Sequence, residues 1–376
     1  MARVQYLLCV LALVVVGFVV TVSAFEDVIE MVVGDELQDG GLNEEGFFDP
    51  AMALLQAESR FELFKRKFGK VYSGPEEHAH RFGIFKDNLL RALEHQALDP
   101  GAKHGITKFS DLTEEEFEAQ YLGMKKPASH KVGVQGSPLP TDDLPEAFDW
   151  RDAGAVTEVK DQGSCGSCWA FSTTGAVEGA HYLATGKLVS LSEQQLVDCD
   201  HVCDPVDPMS CDSGCNGGLM TNAYEYIKQA GGLEKEADYG YTGQDGKCKF
   251  DSSKLVAKVK NFTEVPVDEA QMGVYLVKYG PLAVGINAAF MQTYIGGVSC
   301  PIICSKRNID HGVLIVGYGV HGFTPVRLSY KPYWIIKNSW GANWGEHGYY
   351  KLCRGYGECG ISTMVSSVAA IAVVDP

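Results

Sequence analysis

Apolar residues recur at helical spacing in two stretches of the first third of the chain. A period of three to four residues puts such side chains on one face of a helix. The pattern is carried by Leu54, Leu55, Phe61, Phe64 and Phe68 in residues 51–68, and by Phe82, Phe85, Leu89 and Leu93 in residues 76–98. We therefore predict two amphipathic helices within a separate, cysteine-free module over residues 51–124.

The pattern is interrupted at residues 125–143. Four prolines and two glycines fall between residues 125 and 145. Such a composition is typical of an exposed segment that proteases cut easily. We interpret residues 125–143 as a linker between the helical module and a second domain over residues 144–376.

The second domain opens with a helical pattern and continues with strand patterns. Residues 168–184 have small and apolar side chains near one helical face, and Gly186 follows them. The later runs 311–318, 333–337 and 348–353 are typical of strands. Helices followed by strands favour an α+β domain with two lobes over alternating βαβ units.

The first 24 residues have the layout of a secretory signal peptide. Arg3 precedes an apolar run over residues 6–22, and the small residues Ser23 and Ala24 end it. An uncleaved anchor is the alternative, because the run is almost long enough to span a bilayer. No later segment holds ~18 uninterrupted apolar residues, so the cleaved product is expected to be soluble. Residues 25–50 carry nine acids and no base, which is typical of a solvated tract.

Length and charge narrow the possible functions. A chain of 376 residues has room for two to three domains. The 32 bases minus 48 acids give −16, divided as +1 over residues 1–24, −10 over 25–143 and −7 over 144–376. No large part is basic, so a nucleic-acid partner is not expected. Asn261 begins an Asn-Phe-Thr sequon that the secretory route could glycosylate.

The cysteine count predicts one unpaired thiol in the second domain. Of the twelve cysteines, Cys9 leaves with the signal peptide, none lies in residues 25–143, and eleven lie in residues 144–376. A secretory route favours disulfides, and an odd number leaves one sulfur over. The leftover thiol is an intermolecular link, an inert buried cysteine or a reactive nucleophile.

Three residues have the types and positions of a nucleophilic triad. Cys168 stands at a predicted helix start, where backbone N–H groups and the helix dipole favour a thiolate. His311 opens a predicted strand, and Asn338 ends the next one. A cysteine and a histidine oriented by an asparagine carbonyl form a known catalytic arrangement.

These residues give the second domain a resemblance to papain-like cysteine peptidases. The run Cys165-Gly-Ser-Cys-Trp169 is their local signature, and His311 follows Cys168 by 143 residues, as that signature expects. Asn338 follows by 170, and we attribute the excess to an inserted loop at residues 320–331.

The resemblance extends to the helical module. Its second helix matches the propeptide pattern of the cathepsin F-like branch, and Gly105–Asp111 matches the second propeptide motif. The pattern is also similar to that of plant dehydration-induced papain-like proteases. The matching helix positions are Glu77, Arg81, Phe85, Asn88, Ala92 and Gln96.

The resemblance implies a fold, a division into domains and activation by cleavage. The expected fold is α+β, with a helical left lobe and a β-barrel-like right lobe preceded by a helical inhibitory propeptide. The expected domains are a signal peptide at 1–24, a propeptide at 25–143 and a mature peptidase at 144–376. By similarity, the enzyme is a zymogen that its own propeptide inhibits until the linker is cut.

The resemblance also implies roles for individual residues. Gln162 and the backbone N–H of Cys168 would form an oxyanion hole, and Trp340 would shield the His311–Asn338 hydrogen bond from water. The implied disulfides are Cys165–Cys215, Cys199–Cys248, Cys203–Cys211, Cys304–Cys359 and Cys300–Cys353. The residues themselves leave the pairing among the last four cysteines open.

Specificity in this family depends mainly on the S2 pocket, which receives the side chain one residue before the one at the scissile bond. Alignment from the nearest motifs predicts the lining Leu219, Met220, Gly285, Ile309 and Met364. Gly217 and Gly218, which lack side chains, would let the substrate backbone lie close and pair as an extended strand. This lining is apolar and uncharged, so we expect the pocket to accept Leu, Val or Phe better than Arg or Lys. The sequence shows nothing that resembles the loop that makes some relatives exopeptidases, so we expect internal cleavage. In Tyr239-Gly240-Tyr241 the family usually has proline at the centre, and we expect a looser turn there, away from the catalytic residues.

The expected partners are protein and peptide substrates, the propeptide, and cystatin-like inhibitors. No cofactor or metal is expected, and we expect a monomer. The secretory start and acidic charge favour a vacuole or lysosome, with the extracellular space as the alternative.

Two interpretations from other classes start from the same cysteines. Cys165-x-x-Cys168 has the spacing of a thiol–disulfide oxidoreductase, which needs both sulfurs free to exchange. Cys199, Cys203, Cys211 and Cys215 could instead form a four-thiolate zinc site in a binding module. The oxidoreductase interpretation leaves His311, Asn338 and the propeptide motifs unexplained, and against the zinc site the secretory route favours disulfides.

Overall fold

A computed structural model describes residues 54–125, 134–205, 207–324 and 329–372. The chain divides into two compact units, one ending at Val71 and one beginning at Tyr72. The predicted signal peptide, the acidic tract at 25–50 and the linker residues 126–133 lie outside the described residues.

The first unit contains helix α1, Ala57–Phe68. Phe61 and Phe64 are buried, and their rings stack with centroids 5.9 Å apart. Gly69 ends the helix in the left-handed conformation, with φ at 63°. The predicted helix is therefore confirmed over most of its length, although Leu54 and Leu55 are exposed instead of lying on its buried face.

Helix α2, Pro75–Leu98, confirms the second predicted helix, and a proline begins it. Its polar motif positions bind the chain that follows. Arg81 donates to the Asp111 carbonyl at 3.0 Å and to the Glu116 carboxylate at 2.6 Å. Asn88 Nδ2 donates to the carbonyls of residues 110 and 112 at 2.9 and 2.8 Å. The two propeptide motifs are therefore one hydrogen-bonded unit.

Two short elements complete the helical module. Helix α3, Glu114–Tyr121, begins with a capping box in which Thr113 and Glu116 satisfy each other's backbone N–H groups. Strand β1, Ala102–His104, pairs antiparallel with strand β6, Tyr294–Gly297, of the second domain. The module is thus joined to the second domain by a shared sheet.

The second domain begins with a helical lobe. Helix α4, Cys168–Thr185, is buried along most of its length and ends at Gly186, whose φ is 71°. This confirms the helix predicted over residues 168–184. Helices α5, Glu193–Cys199, and α6, Met220–Ala230, pack around it on a core that includes Trp169, Val177, Leu196 and Tyr224.

A sheet of eight described strands forms the other lobe, with helix α7, Glu269–Tyr279, packed against it. The order is β2–β4–β10–β5–β7–β8–β9, and β3 pairs with β7. The strands are β2 Val134–Gln135, β3 Phe148–Asp149, β4 Ala257–Glu264, β5 Leu282–Ile286, β7 His311–Thr324, β8 Ser329–Lys337, β9 Tyr349–Cys353 and β10 Val365–Ala372. The three predicted strands are confirmed as β7, β8 and β9.

The prediction of an inserted loop at residues 320–331 is wrong. Strands β7 and β8 remain paired beyond the predicted ends, from Val320 opposite Pro332 to Thr324 opposite Ser329. An antiparallel ladder can continue through residues without an alternating pattern because backbone groups make its hydrogen bonds. The extra residues between His311 and Asn338 therefore lengthen a hairpin.

Five disulfides cross-link the second domain. They are Cys165–Cys215, Cys199–Cys248, Cys203–Cys211, Cys300–Cys353 and Cys304–Cys359, the same pairs that the resemblance implied. Cys168 is the one free thiol of the described residues. Across the described ranges, every helix is too short or too polar to cross a bilayer.

Candidate active site

Cys168 is the first residue of α4, and its side chain is fully buried. Its sulfur accepts backbone N–H groups from Gly312 at 3.3 Å and from Gly123 at 3.2 Å. Ser167 precedes the helix without capping it through its side chain. The first-turn N–H groups are therefore not blocked by a side-chain cap, as an anion-stabilising helix start requires.

His311 and Asn338 face each other because β7 begins where β8 ends. His311 Nε2 lies 2.8 Å from Asn338 Oδ1, which also accepts the N–H of Ser339 at 2.8 Å. A backbone N–H can only donate, so the amide oxygen faces His311 and Nε2 must carry the proton. Neutral His311 therefore holds its lone pair on Nδ1, the atom available to act as a base.

Trp340 covers this hydrogen bond. Its ring stacks on His311 with centroids 4.6 Å apart and an interplanar angle of 26°, and both residues are fully buried. Phe109 and Phe117 of the propeptide pack edge-on against the same indole at 5.1 and 5.3 Å. Water has little access to the His311–Asn338 pair in this form of the chain.

Cys168 and His311 are not hydrogen-bonded to each other in this form of the chain. Within the described residues, His311 Nδ1 has no hydrogen-bond partner, whereas the sulfur accepts two backbone N–H groups. Burial raises the pKa of Cys168 to about 11, and it lowers the pKa of His311 to about 4. Both side chains are therefore neutral near pH 7, because the covered site disfavours charge on either.

Gln162 lies next to the nucleophile and is held at both ends of its side chain. Its Nε2 donates to the Cys165 carbonyl at 2.7 Å and to the Tyr121 carbonyl at 3.1 Å. Ser339 Oγ donates to its Oε1 at 2.6 Å. The side-chain N–H group of Gln162 is therefore held in position to donate a hydrogen bond. In this form of the chain it donates to the Tyr121 carbonyl oxygen of the propeptide.

Residues 122–125, which follow helix α3, run through the site as an extended chain. Gly123 accepts the N–H of Gly218 at 3.0 Å, and Lys125 donates to the Gly218 carbonyl at 3.1 Å. Met124 donates to the Asp310 carbonyl at 3.0 Å. The backbone N–H of Gly123 donates to the Cys168 sulfur at 3.2 Å, so the segment occupies the cleft beside the nucleophile.

Gly123 has no room for a side chain. A Cβ built there would lie 1.8 Å from the Gly166 carbonyl oxygen. The missing side chain lets the propeptide backbone approach the turn that precedes Cys168. Sequence reasoning missed Gly123 because the residue belongs to neither propeptide motif, and a single glycine after a helix is usually only a cap.

The Tyr239–Tyr241 turn does not lie away from the catalytic residues, as the sequence had suggested. The Tyr241 hydroxyl donates to the Gln162 carbonyl at 2.8 Å and lies 2.6 Å from Ser167 Oγ. The residue lies 79 positions after Gln162 in the chain, so only tertiary folding brings the two together. The tyrosines on both sides of Gly240 are held by hydrogen bonds. The Tyr239 hydroxyl donates to the Asp198 carboxylate at 2.7 Å, and the Tyr241 hydroxyl donates to the Gln162 carbonyl.

The predicted substrate-binding residues fall into three groups. Gly285, Ile309 and Met364 lie together, since a Cβ on Gly285 would meet Ile309 at 2.5 Å and Met364 at 3.3 Å. Gly217 and Gly218 lie against the propeptide chain instead. The remaining two, Leu219 and Met220, are almost fully buried beside Gly218 in sequence.

The cysteine pairing weighs against both other interpretations. Cys165 is bonded to Cys215, so it cannot exchange with Cys168 as a redox dithiol. The four cysteines of the proposed zinc site are divided among three disulfides. The described part of the chain contains no cluster of three or more His, Cys, Asp or Glu side chains suited to a metal ion.

Comparison with known proteins identifies the family. A family model described as papain family cysteine protease matches residues 144–369, and one described as cathepsin propeptide inhibitor domain matches residues 61–117. Cysteine proteinase 15A of Pisum sativum is 66% identical over 318 residues, which cover 84% of this chain and 88% of that protein. Probable cysteine protease RD19D of Arabidopsis thaliana is 63% identical over 323 residues, covering 85% and 88%.

Among solved structures, procathepsin L2 from the larval midgut of Tenebrio molitor has a TM-score of 0.73 at 35% identity. The match covers 83% of this chain and 99% of that one. These comparisons confirm the expected papain-like fold. The chain belongs to the papain family of cysteine proteases, and it is a hydrolase made as a zymogen with an inhibitory propeptide.

Proposed function

We propose that the mature enzyme hydrolyses internal peptide bonds with Cys168 as nucleophile and His311 as proton carrier. His311 Nδ1 takes the proton of the Cys168 thiol, and the resulting thiolate sulfur bonds to the peptide carbonyl carbon while the carbonyl electron pair moves onto oxygen. His311 then gives its Nδ1 proton to the leaving amine as the C–N bond breaks. The product of this half-reaction is a thioester on Cys168 and a free amine.

Water completes the cycle. His311 takes a proton from the water molecule as its oxygen attacks the thioester carbon, and the C–S bond breaks to return the thiolate. Gln162 Nε2 and the Cys168 backbone N–H donate to the oxyanion in both halves. Asn338 holds His311 in the tautomer that presents Nδ1, and Trp340 keeps water from that hydrogen bond.

The observation that carries this proposal is the hydrogen bond of 2.8 Å between His311 Nε2 and Asn338 Oδ1. The residue after His311, Gly312, donates its backbone N–H to the Cys168 sulfur. The test is Cys168→Ala in the trimmed enzyme. Peptide hydrolysis should fall to background while the chain is still secreted and folded, since the change removes only a small group. Labelling by an epoxide should occur on Cys168 and be absent in the variant. Turnover that survives the substitution would end the assignment.

We further propose the boundaries and destination that the sequence suggested. A signal peptide at 1–24 sends the chain to a vacuole or lysosome, where acidification promotes cutting between about residues 131 and 144. Several residues of this segment are exposed, among them Ser137, Pro140 and Asp143. N-terminal sequencing of the acid-activated enzyme tests the cut. Full-length chain that hydrolysed peptides at neutral pH as fast as trimmed enzyme would contradict the inhibitory role.

The S2 pocket is proposed to favour Leu, Val or Phe over Arg. The trio Gly285, Ile309 and Met364 supplies apolar walls and no counter-charge, and each buried methylene contributes ~0.8 kcal/mol. We expect at least about tenfold higher kcat/KM for the apolar residue on matched fluorogenic dipeptides. Met364→Glu should improve acceptance of Arg by adding a carboxylate. An equal or reversed preference, or no gain in the variant, would remove these residues from the pocket.

The remaining proposals concern modification and partners. Asn261 is exposed on β4, which supports glycosylation of its sequon. The cleft emptied by the propeptide would also accept cystatin-like inhibitors, and the mature enzyme is proposed to act as a monomer. Treatment with an endoglycosidase tests the glycosylation of Asn261. Light scattering of the mature enzyme tests whether it is a monomer.

A further inference from the structure

The propeptide chain binds a second part of the enzyme next to Gly218. Lys125 donates its backbone N–H to the Gly218 carbonyl at 3.1 Å. The ammonium group of the same residue donates to the carbonyl oxygen of Cys211 at 2.5 Å. One propeptide residue is therefore bound through its backbone by the edge of the cleft and through its side chain by a separate segment of the enzyme.

That segment is the disulfide loop, which we define as the loop closed by the Cys203–Cys211 bond. Asn222 of helix α6 donates its side-chain N–H groups to the carbonyls of residues 202 and 210, at 3.3 and 3.1 Å. The N–H of Asp212 donates to the carbonyl of residue 202 at 2.9 Å. The carbonyl of Cys211 is thus held in place by bonds on both sides of it.

The position of Lys125 along the cleft follows from the two residues before it. Gly123 donates its N–H to the sulfur of the nucleophile at 3.2 Å. The sulfur of Met124 lies 3.2 Å from a Cβ built on Gly312, and Gly312 pairs with Gly285 between β7 and β5. Gly285 belongs to the proposed S2 pocket. Lys125 is therefore one residue beyond S2, on the side away from the nucleophile.

The chemistry of this place favours a cation. A backbone carbonyl oxygen only accepts hydrogen bonds, and an ammonium group only donates them. Residues 200–212 carry four aspartates and no lysine or arginine. A positive side chain is therefore attracted here, whereas a carboxylate would face an oxygen that cannot donate to it.

We propose that the Cys211 carbonyl and the disulfide loop form a subsite for a cationic side chain, supplied by the substrate residue that precedes the one in S2. The inference rests on the proposed function, in which Gly218 pairs with the substrate backbone. Lys125 fills the subsite in the zymogen, and a lysine of the substrate takes its place in the trimmed enzyme. The lysine stem is flexible, so its ammonium group reaches the carbonyl from a chain of either direction.

The experiment compares three fluorogenic tripeptides on trimmed enzyme. All carry Leu for S2, and they differ only in the residue before it, which is lysine, norleucine or glutamate. Norleucine has an apolar stem without the ammonium group, so it separates the charge from apolar contact. We expect kcat/KM for the lysine peptide to exceed that for the norleucine peptide at least about fivefold, mainly through KM, with the glutamate peptide lower still.

The double variant Cys203→Ser, Cys211→Ser releases the loop and tests its part in the subsite. The advantage of lysine over norleucine should fall below about twofold, because the carbonyl is no longer held. Met209→Ala is the matched control, since it changes a side chain of the same loop that is 89% exposed, and it should keep the full advantage. The three peptides on wild-type enzyme decide by themselves if the double variant does not fold.

Equal kcat/KM for the lysine and norleucine peptides on wild-type enzyme would overturn the inference. A lysine advantage that stays complete in the double variant would also overturn it, because the loop would then not supply the subsite. Failure of all three peptides, together with no epoxide labelling of Cys168, would instead contradict the proposed nucleophile.

Discussion

The state of the nucleophile depends on two opposing effects at single atoms. Backbone N–H groups from Gly312 and Gly123 favour the thiolate of Cys168, whereas burial disfavours it and dominates. Burial also keeps His311 neutral. The helix start that the sequence predicted is therefore present. It does not stabilise the thiolate in the zymogen, because the propeptide covers the site and excludes water.

This balance predicts slow alkylation in the zymogen. With a pKa of about 11, Cys168 is almost entirely a thiol at pH 7. Iodoacetamide should therefore label full-length chain at least about a hundredfold more slowly than trimmed enzyme, because the thiolate is the reactive form. The rate is measured by mass spectrometry, with Cys168→Ala chain as the blank. Equal labelling rates would show that the propeptide does not control ionisation.

A second residue-scale prediction concerns the close approach at Gly123. In Gly123→Ala the new methyl group would collide with the Gly166 carbonyl, so the propeptide chain must move away from Cys168. We expect the variant zymogen to hydrolyse a dipeptide at neutral pH at least about tenfold faster than the parent zymogen. Catalytic constants of the trimmed enzyme should not change, since Gly123 is removed with the propeptide.

Gly83→Ala is the matched control for this prediction. Gly83 lies in α2 of the same propeptide, and a Cβ there meets nothing within 4 Å. That variant should remain as latent as the parent. If both alanine variants stayed latent to the same degree, the approach of Gly123 to Gly166 would not be needed for inhibition.

At the scale of elements, the turn from Gln162 to Ser167 is held from a different part of the chain. Tyr241 contacts both ends of the turn, at the Gln162 carbonyl and at Ser167 Oγ. Its ring packs edge-on against Phe171 of α4, with centroids 4.9 Å apart. One tyrosine therefore fixes the proposed oxyanion donors relative to the nucleophile's helix.

Tyr241→Phe should weaken reactions that need the oxyanion hole and spare those that do not. We expect kcat for the dipeptide, and affinity for a peptide aldehyde, to fall by at least about fivefold, with KM unchanged. Alkylation of Cys168 by iodoacetamide, which develops no oxyanion, should keep its rate. Tyr239→Phe is the control, because it removes a hydroxyl of the same turn that binds Asp198 instead. Parallel losses in aldehyde binding and alkylation would indicate general disorder.

At the scale of the whole molecule, a buried polar cluster joins propeptide and enzyme far from the cleft. Thr293 Oγ1 of the enzyme contacts Nδ1 of His95 at 2.8 Å and Nδ1 of His104 at 2.9 Å. Asp99 of the propeptide accepts the Ser299 hydroxyl at 2.5 Å and the Cys300 N–H at 2.6 Å. The stability of this contact therefore depends on whether His95 carries a charge.

Burial, followed by the charges of His104 and Arg91, lowers the pKa of His95 to about 4, and Asp99 only partly opposes this. A lowered pKa means that the stabilisation by neutral His95 is present above its ordinary value of ~6.5. It is lost as pH falls towards about 4. Acidification should therefore loosen this contact in the range where vacuoles and lysosomes operate.

The test is the pH midpoint of zymogen activation. His95→Gln keeps a polar side chain near Thr293 but cannot gain a proton, so the midpoint should shift down by at least about half a pH unit. His80→Gln, on the exposed face of the same helix, should leave it in place. A midpoint unchanged in the His95 variant would assign the acid response to carboxylates alone.

The sequence by itself was enough to predict the chemistry that we propose for this protein. Signals for Cys168, the helix behind it and the strands around His311 and Asn338 are local, because helix starts and strand ends leave patterns within a few residues. An odd cysteine count identified a free thiol without any structure. The propeptide helices were equally visible, since an amphipathic face repeats every three to four residues.

Only the tertiary structure decided how these parts act on one another. The contacts of Gly123 with Gly166 and of Tyr241 with Gln162 join residues that share no local pattern. The continuation of β7 and β8 past their predicted ends likewise depends on ladder hydrogen bonds between distant backbone groups. Burial is also a property of the folded whole, and here it reverses the thiolate state that the helix start alone favours.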